Sequence, residues 1–205
     1  MRNDSRVCII DDDEAIREAL HMLLFAAGIP SHAYPSADKF LARADTREFD
    51  CMLLDIRMPG MDGLELFHLL LRQQAPYPII FITGHGDIPL AVTAIKQGAF
   101  DFLTKPFKQG ELLEKVQNAI RHYQGQRQQL QNIQELSRRA MSCTPREQDV
   151  MRLMVQGLPN KGIAEALSIS PRTVEIHRAH VMEKMEAESL PALVRMMTLL
   201  SSAHP

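Results

Sequence analysis

Between residues 6 and 121, short strand-like runs alternate with segments whose apolar residues recur every three or four positions, and this alternation constrains the fold more than any other feature. The runs are Val7–Ile10, Ser31–Tyr34, Cys51–Leu54, Ile79–Ile82 and Phe100–Leu103, each of strand length. After the first run, Ile16, Ala19, Leu20, Leu23, Leu24 and Ala27 follow the i, i+3, i+4, i+7, i+8 spacing that places them on one helical face, and Gly28 is set to stop that helix. Strict alternation of strand and helix predicts an α/β domain with a doubly wound parallel sheet.

Five strands in roughly 115 residues is the size of a flavodoxin-like domain, whose ligands bind beyond the carboxyl ends of the strands. From about Lys108 a helix carries Leu112, Leu113, Val116, Ala119 and Ile120 on one face, and it fades into the glutamine-rich stretch 124–134, which reads as an exposed helical linker. From Cys143 to Leu200 the pattern changes to four short helices with strong punctuation. Thr144-Pro145-Arg146-Glu147 is a capping box with proline at the first helical position, Gly157 ends that helix, and Pro159-Asn160-Lys161 and Ser170-Pro171 open the next two. Short helices joined by tight turns predict an all-α helix-turn-helix bundle. The division expected is 1–121 for the α/β domain, 122–141 for the linker and 142–205 for the helical domain.

Composition narrows the classes. No apolar run approaches the roughly 18 residues of a membrane span, and a polar Met1–Arg6 leads directly into the first strand, so the expected location is the cytoplasm, without membrane contact. Three widely spaced cysteines, Cys8, Cys51 and Cys143, read as buried reduced thiols. Residues 1–120 hold 12 Lys/Arg against 17 Asp/Glu, and residues 121–205 hold 11 against 8, a net −5 and +3. The asymmetry permits nucleic-acid binding by the second half without proving it.

Carboxylates stand directly after two strand candidates, Asp11, Asp12 and Asp13 after Ile10 and Asp55 after Leu54; Thr83 follows the fourth and Lys105-Pro106 the fifth. In a parallel sheet these ends converge. Carboxylate oxygens at a strand edge suit Mg2+, which keeps several waters. A carboxylate nucleophile, a cation, a lysine charge and a hydroxyl are together what an aspartyl phosphate requires. Asp13 reads instead as a helix cap.

At these residues the chain resembles the receiver domain of two-component response regulators. The resemblance rests on Asp11-Asp12, on Asp55 with Met58-Pro59-Gly60-Met61-Asp62-Gly63, on Thr83-Gly84-His85-Gly86 and on Lys105-Pro106-Phe107. It implies that Asp55 is the phosphoacceptor, that Asp11, Asp12, Asp55 and the backbone carbonyl of Arg57 hold Mg2+, and that Thr83 contacts the phosphoryl group while Lys105 pairs with it. It also implies a cis peptide before Pro106 and a switching role for Thr83 and for Phe102, which without a hydroxyl acts through burial alone. A sensor histidine kinase is the implied phosphoryl donor. Phosphorylation is expected to drive homodimerisation through the fourth helix, with Ile88, Leu90, Val92 and Ile95, and the fifth strand.

In Thr173–Met185, residues Val174, Val181 and Met185 fall on one helical face, and Arg172, Glu175, Ile176, Arg178 and Ala179 lie outward, the mixture expected of a recognition helix. Any exposed amphipathic helix shares that composition. The order Pro159–Leu167 followed by Ser170–Val174 resembles the LuxR-type helix-turn-helix of the NarL and FixJ regulators. That likeness implies promoter DNA as ligand, RNA polymerase as a further partner, Arg172, Thr173, Glu175, Ile176, Arg178 and Ala179 at the DNA, and Asn160, Lys161 and Lys184 as backbone contacts. His177 reads as packed inside. Two other functions compete: a phosphatase-type enzyme, which needs a second acidic group two residues beyond the nucleophile, where Arg57 stands, and an adaptor that binds only protein. The reading is therefore a phosphorylation-controlled transcription regulator rather than an enzyme.

Overall fold

The computed structural model describes residues 6–43, 49–75, 77–84 and 87–203. The elements in chain order are β1 (Val7–Ile10), α1 (Glu14–Ala26), β2 (Ser31–Tyr34), α2 (Ala37–Arg43), β3 (Cys51–Asp55), α3 (Gly63–Arg72), β4 (Ile79–Thr83), α4 (Ile88–Lys96), β5 (Asp101–Thr104), α5 (Gln109–Ser142), α6 (Pro145–Val155), α7 (Asn160–Leu167), α8 (Pro171–Lys184) and α9 (Leu190–Ala203). Among the described residues no helix is long and apolar enough to cross a membrane. Contacts divide the chain into two units, Met1–Gln126 and Arg127–Pro205.

In the first unit the five strands are parallel in the order β2-β1-β3-β4-β5, the flavodoxin-like arrangement expected. All five expected strands are present; β3 and β4 each run one residue further, to Asp55 and Thr83, and β5 spans Asp101–Thr104. Because side chains alternate across a strand, the sheet feeds two cores. Cys8, Ile10, Met52, Leu54 and Phe81 pack against α2, α3 and α4 through Phe40, Leu66, Phe67, Leu70, Ala91 and Ala94. Val7, Ile9, Leu53, Ile80, Ile82 and Leu103 pack on the other face against Leu20 and Leu24 of α1 and Leu112, Val116, Ala119 and Ile120 of α5. Two of the helices are started by side-chain caps: Asp13 accepts from the N–H groups of Ala15 and Ile16, the cap expected, and Asp62 forms a capping box with Glu65.

The linker is not a separate element. α5 runs unbroken for 34 residues, and Tyr123, beyond the expected end of the first domain, is buried in its core. No proline interrupts the stretch 109–142, most of its residues are strong helix formers, and Glu135 pairs with both Arg138 and Arg139 one turn on.

The second unit buries Val150, Met154, Ile163, Val174, Val181, Met185 and Leu193 in one core. Thr144 caps α6 with Glu147 in the reciprocal bond, Ser170 caps α8 by accepting from Thr173 N, and each helix has its proline in the first turn. All three cysteines are free and buried, and burial pushes their thiols up.

Candidate functional site

The pairing Ile10↔Leu54 sets Asp11 and Asp55 side by side at the carboxyl edge of the sheet, where both are almost fully buried. Lys105, one residue past β5, sends its ammonium to both: Nζ lies 2.9 Å from Asp11 Oδ2 and 2.5 Å from Asp55 Oδ1. The remaining oxygens accept backbone N–H groups, Asp11 Oδ1 from Asp13 at 2.9 Å and Asp55 Oδ2 from Arg57 at 2.7 Å. The Lys105-Pro106 peptide is cis, as expected.

Two buried carboxylates thus share one ammonium. Burial raises the Asp55 pKa above the ordinary carboxyl range, Lys105 pulls against it and Asp11 adds to it. Burial works against the Lys105 charge as well, but the bonds to Asp55 and Asp11 outweigh it and hold that pKa above the ordinary value. With two carboxylates against one ammonium, the pocket also carries more negative charge than Lys105 neutralises. A hard divalent cation with oxygen ligands fits that deficit, and the donors at hand are Asp11, Asp55, the exposed Asp12 and the carbonyl of Arg57.

Thr83 is buried at the end of β4, beside Lys105, whose N–H donates to the Thr83 carbonyl at 2.8 Å. Its hydroxyl donates to the Gly84 carbonyl at 2.9 Å. His85 and Gly86 of the same motif lie outside the described residues. Phe102 pairs with Phe81 across β4 and β5 and packs, half-buried, on the core that backs α4. On α4, Ile88 and Val92 are exposed while Leu90 and Ile95 turn into that core.

Two supports escaped the sequence reading. A Cβ on Gly63 would collide with the Asp55 carbonyl oxygen, so only glycine lets α3 begin against the end of β3; the residue type was visible, the close approach was not. Arg57 closes onto Asp87, with Nη2 to Oδ1 at 2.8 Å, and ties the loop after β3 to the start of α4.

In the second unit α8 turns Val174 and Val181 inward and leaves Arg172, Glu175, Ile176 and Ala179 exposed, with Thr173 and Arg178 half-exposed. Arg172 and Glu175 pair with each other at 3.2 Å. At the start of α7, Lys161 is exposed and Asn160 half-buried. The Lys184 ammonium, one-third exposed, lies 2.6 Å from Glu147 Oε2 and 3.3 Å from the Ser142 carbonyl. Nδ1 of His177 is buried, in keeping with its inward reading.

An acidic pocket with a cross-sheet lysine, at the carboxyl edge of a β2-β1-β3-β4-β5 sheet and followed by a capped helix-turn-helix, defines a class, the two-component response regulators that control transcription. The matches are direct: residues 7–117 fit the response regulator receiver domain, and residues 141–197 fit the bacterial regulatory proteins of the luxR family. The chain belongs to that response-regulator family. It is similar to the transcriptional regulatory protein FixJ of Bradyrhizobium diazoefficiens, 44% identical over 196 residues that cover 96% of each chain. It is also similar to the response regulator protein TodT of Pseudomonas putida, 42% identical over 93% of this chain and 84% of the relative. Among solved structures, the response regulator StyR superposes with a TM-score of 0.87 at 39% identity, covering 95% of this chain and 98% of that one.

Proposed function

We propose that Asp55 accepts a phosphoryl group from a sensor histidine kinase and that this modification sets the DNA binding of α8. An Asp55 carboxylate oxygen attacks phosphorus, the bond from phosphorus to the donor imidazole nitrogen breaks, and an acyl phosphate forms. Asp11, Asp12, Asp55 and the Arg57 carbonyl would hold Mg2+, which would neutralise charge on the transferred oxygens. Lys105 then pairs with the phosphoryl group, Thr83 turns its hydroxyl from Gly84 to a phosphoryl oxygen, and Phe102 moves further into the core. The altered face is α4 with β5, where a second copy docks through Ile88 and Val92. Arg172, Thr173, Glu175, Ile176, Arg178 and Ala179 meet promoter DNA, with Asn160 and Lys161 on its backbone, and RNA polymerase is recruited there. The chemistry is confined to the protein's own phosphorylation and dephosphorylation.

The observation that carries this reading is the Lys105 ammonium shared between two buried carboxylates. Acetyl phosphate with Mg2+ is expected to add one phosphoryl mass at Asp55, and none in Asp55→Asn. Equal labelling of the Asn variant would overturn the assignment.

A further inference from the structure

The only described set of three His, Cys, Asp or Glu side chains whose ligand atoms lie within 4.8 Å of one another is not in the acidic pocket but in the helical unit: Glu147, His177 and His180. We infer that these three form a binding site for a borderline divalent transition metal of the zinc type, which would clasp the DNA-presenting helix α8 to the first turn of α6.

The geometry divides the work cleanly between the two oxygens of Glu147. Oε2 is taken, accepting from Lys184 Nζ at 2.6 Å and from Thr144 N at 2.8 Å, and these bonds fix the buried carboxylate in place. Oε1 points the other way and has the ring of His180 beside it, with Nδ1 at 3.3 Å. That separation is already the ligand-to-ligand distance of a tetrahedral site with bonds of about 2.1 Å, which is about 3.4 Å. His177 lies one turn before His180 on the same face of α8, and its Nδ1 is buried with no hydrogen-bonding partner, an uncommon state for a ring nitrogen. That nitrogen is therefore not committed to another protein group.

Two imidazoles and one carboxylate oxygen are a ligand set for zinc, nickel or copper rather than for magnesium or calcium, which take oxygen donors. Three protein ligands leave a fourth position for water. The Lys184 ammonium on the far oxygen lowers the affinity by its positive charge, so binding should be weaker than at a structural zinc centre and reversible. Closing the site asks most of His180, whose side chain is half exposed.

The test uses the full-length protein in excess Mg2+, so that the oxygen-rich receiver pocket is already supplied, with Co2+ as the spectroscopic probe and Zn2+ as competitor. The expected result is one Co2+ per chain with the intense visible d–d bands of four-coordinate cobalt, erased by equimolar Zn2+, and a melting temperature that rises with added Zn2+. His180→Ala, at an exposed position that leaves the fold intact, should weaken binding at least tenfold, and His177→Gln should do the same. Absence of four-coordinate Co2+ at millimolar metal, or wild-type affinity in His180→Ala, would overturn the proposal.

Discussion

The acidic pocket and the α8 surface solve opposite problems. The pocket is assembled from Asp11, Asp55, Thr83 and Lys105, residues far apart in sequence and brought together only by strand order, and it is buried, so its charges are strongly coupled. The α8 surface comes from consecutive turns of one helix and is exposed, so its charges act through solvent. A site made of strand ends depends on backbone placement across the whole sheet. A site made of one helix depends on the few residues that cap the helix and seat its inner face.

That contrast breaks most sharply at Gly63. Gly63→Ala should destabilise the first unit by about 3 kcal/mol or more, because the added methyl meets backbone rather than a side chain that can turn aside. Hydrogen exchange should show β3 and α3 losing protection while α6–α9 keep theirs. Retained protection in β3 would mean that α3 can shift without moving Asp55.

Met185→Ala is the matching cut in the second unit. Met185 is fully buried, and its truncation should cost about 2 to 3 kcal/mol. DNA binding should fall with the loss of the α8 seat, while labelling at Asp55 by acetyl phosphate stays at the wild-type level. A fall in labelling would show that the pocket depends on the helical core after all.

At the surface itself the effects are smaller. Arg178→Ala should weaken DNA binding by about 1 kcal/mol, roughly fivefold, and lower the slope of affinity against salt by about one, if the guanidinium meets a phosphate. Loss confined to one base pair's preference, with the salt slope unchanged, would move Arg178 to a base edge.

The same contrast explains what was legible in the sequence. The strand pattern, Asp13 as cap, the capping box at Thr144 and the buried stripe of α8 are local signals, each set by spacing within a few residues. The convergence of Asp11, Asp55, Thr83 and Lys105 became legible only through strand ends taken in order. Contacts with no local signature were not. The partner of Lys184 is Glu147, 37 residues away, and the need for glycine at 63 arises only because α3 returns onto the end of β3. The helical reading of the stretch after Ile120 holds, since α5 continues through it, supported by propensity and the Glu135 ion pairs rather than by a strong apolar stripe.

Those ion pairs supply the smallest test. In the pocket two carboxylates share one ammonium; on α5 one carboxylate, Glu135, is shared by two guanidiniums, Arg138 at 2.8 Å and Arg139 at 2.9 Å. The Arg138 bond first, then that of Arg139, holds the Glu135 carboxyl down to about 2. A carboxyl whose pKa is lower folded than unfolded adds stability that is present in full above its unfolded value near 4.5 and is lost as the pH falls towards about 2. The group is open to solvent, so the contribution is small and screened by salt. Exchange protection of residues 131–139 should therefore differ slightly between the wild type and Glu135→Gln, by a constant amount from pH 7 to about pH 5. The gap should narrow below that and shrink in high salt. A gap that widens on acidification would mean that Glu135 is held by its neutral form, and that this trio is governed by burial as the pocket is.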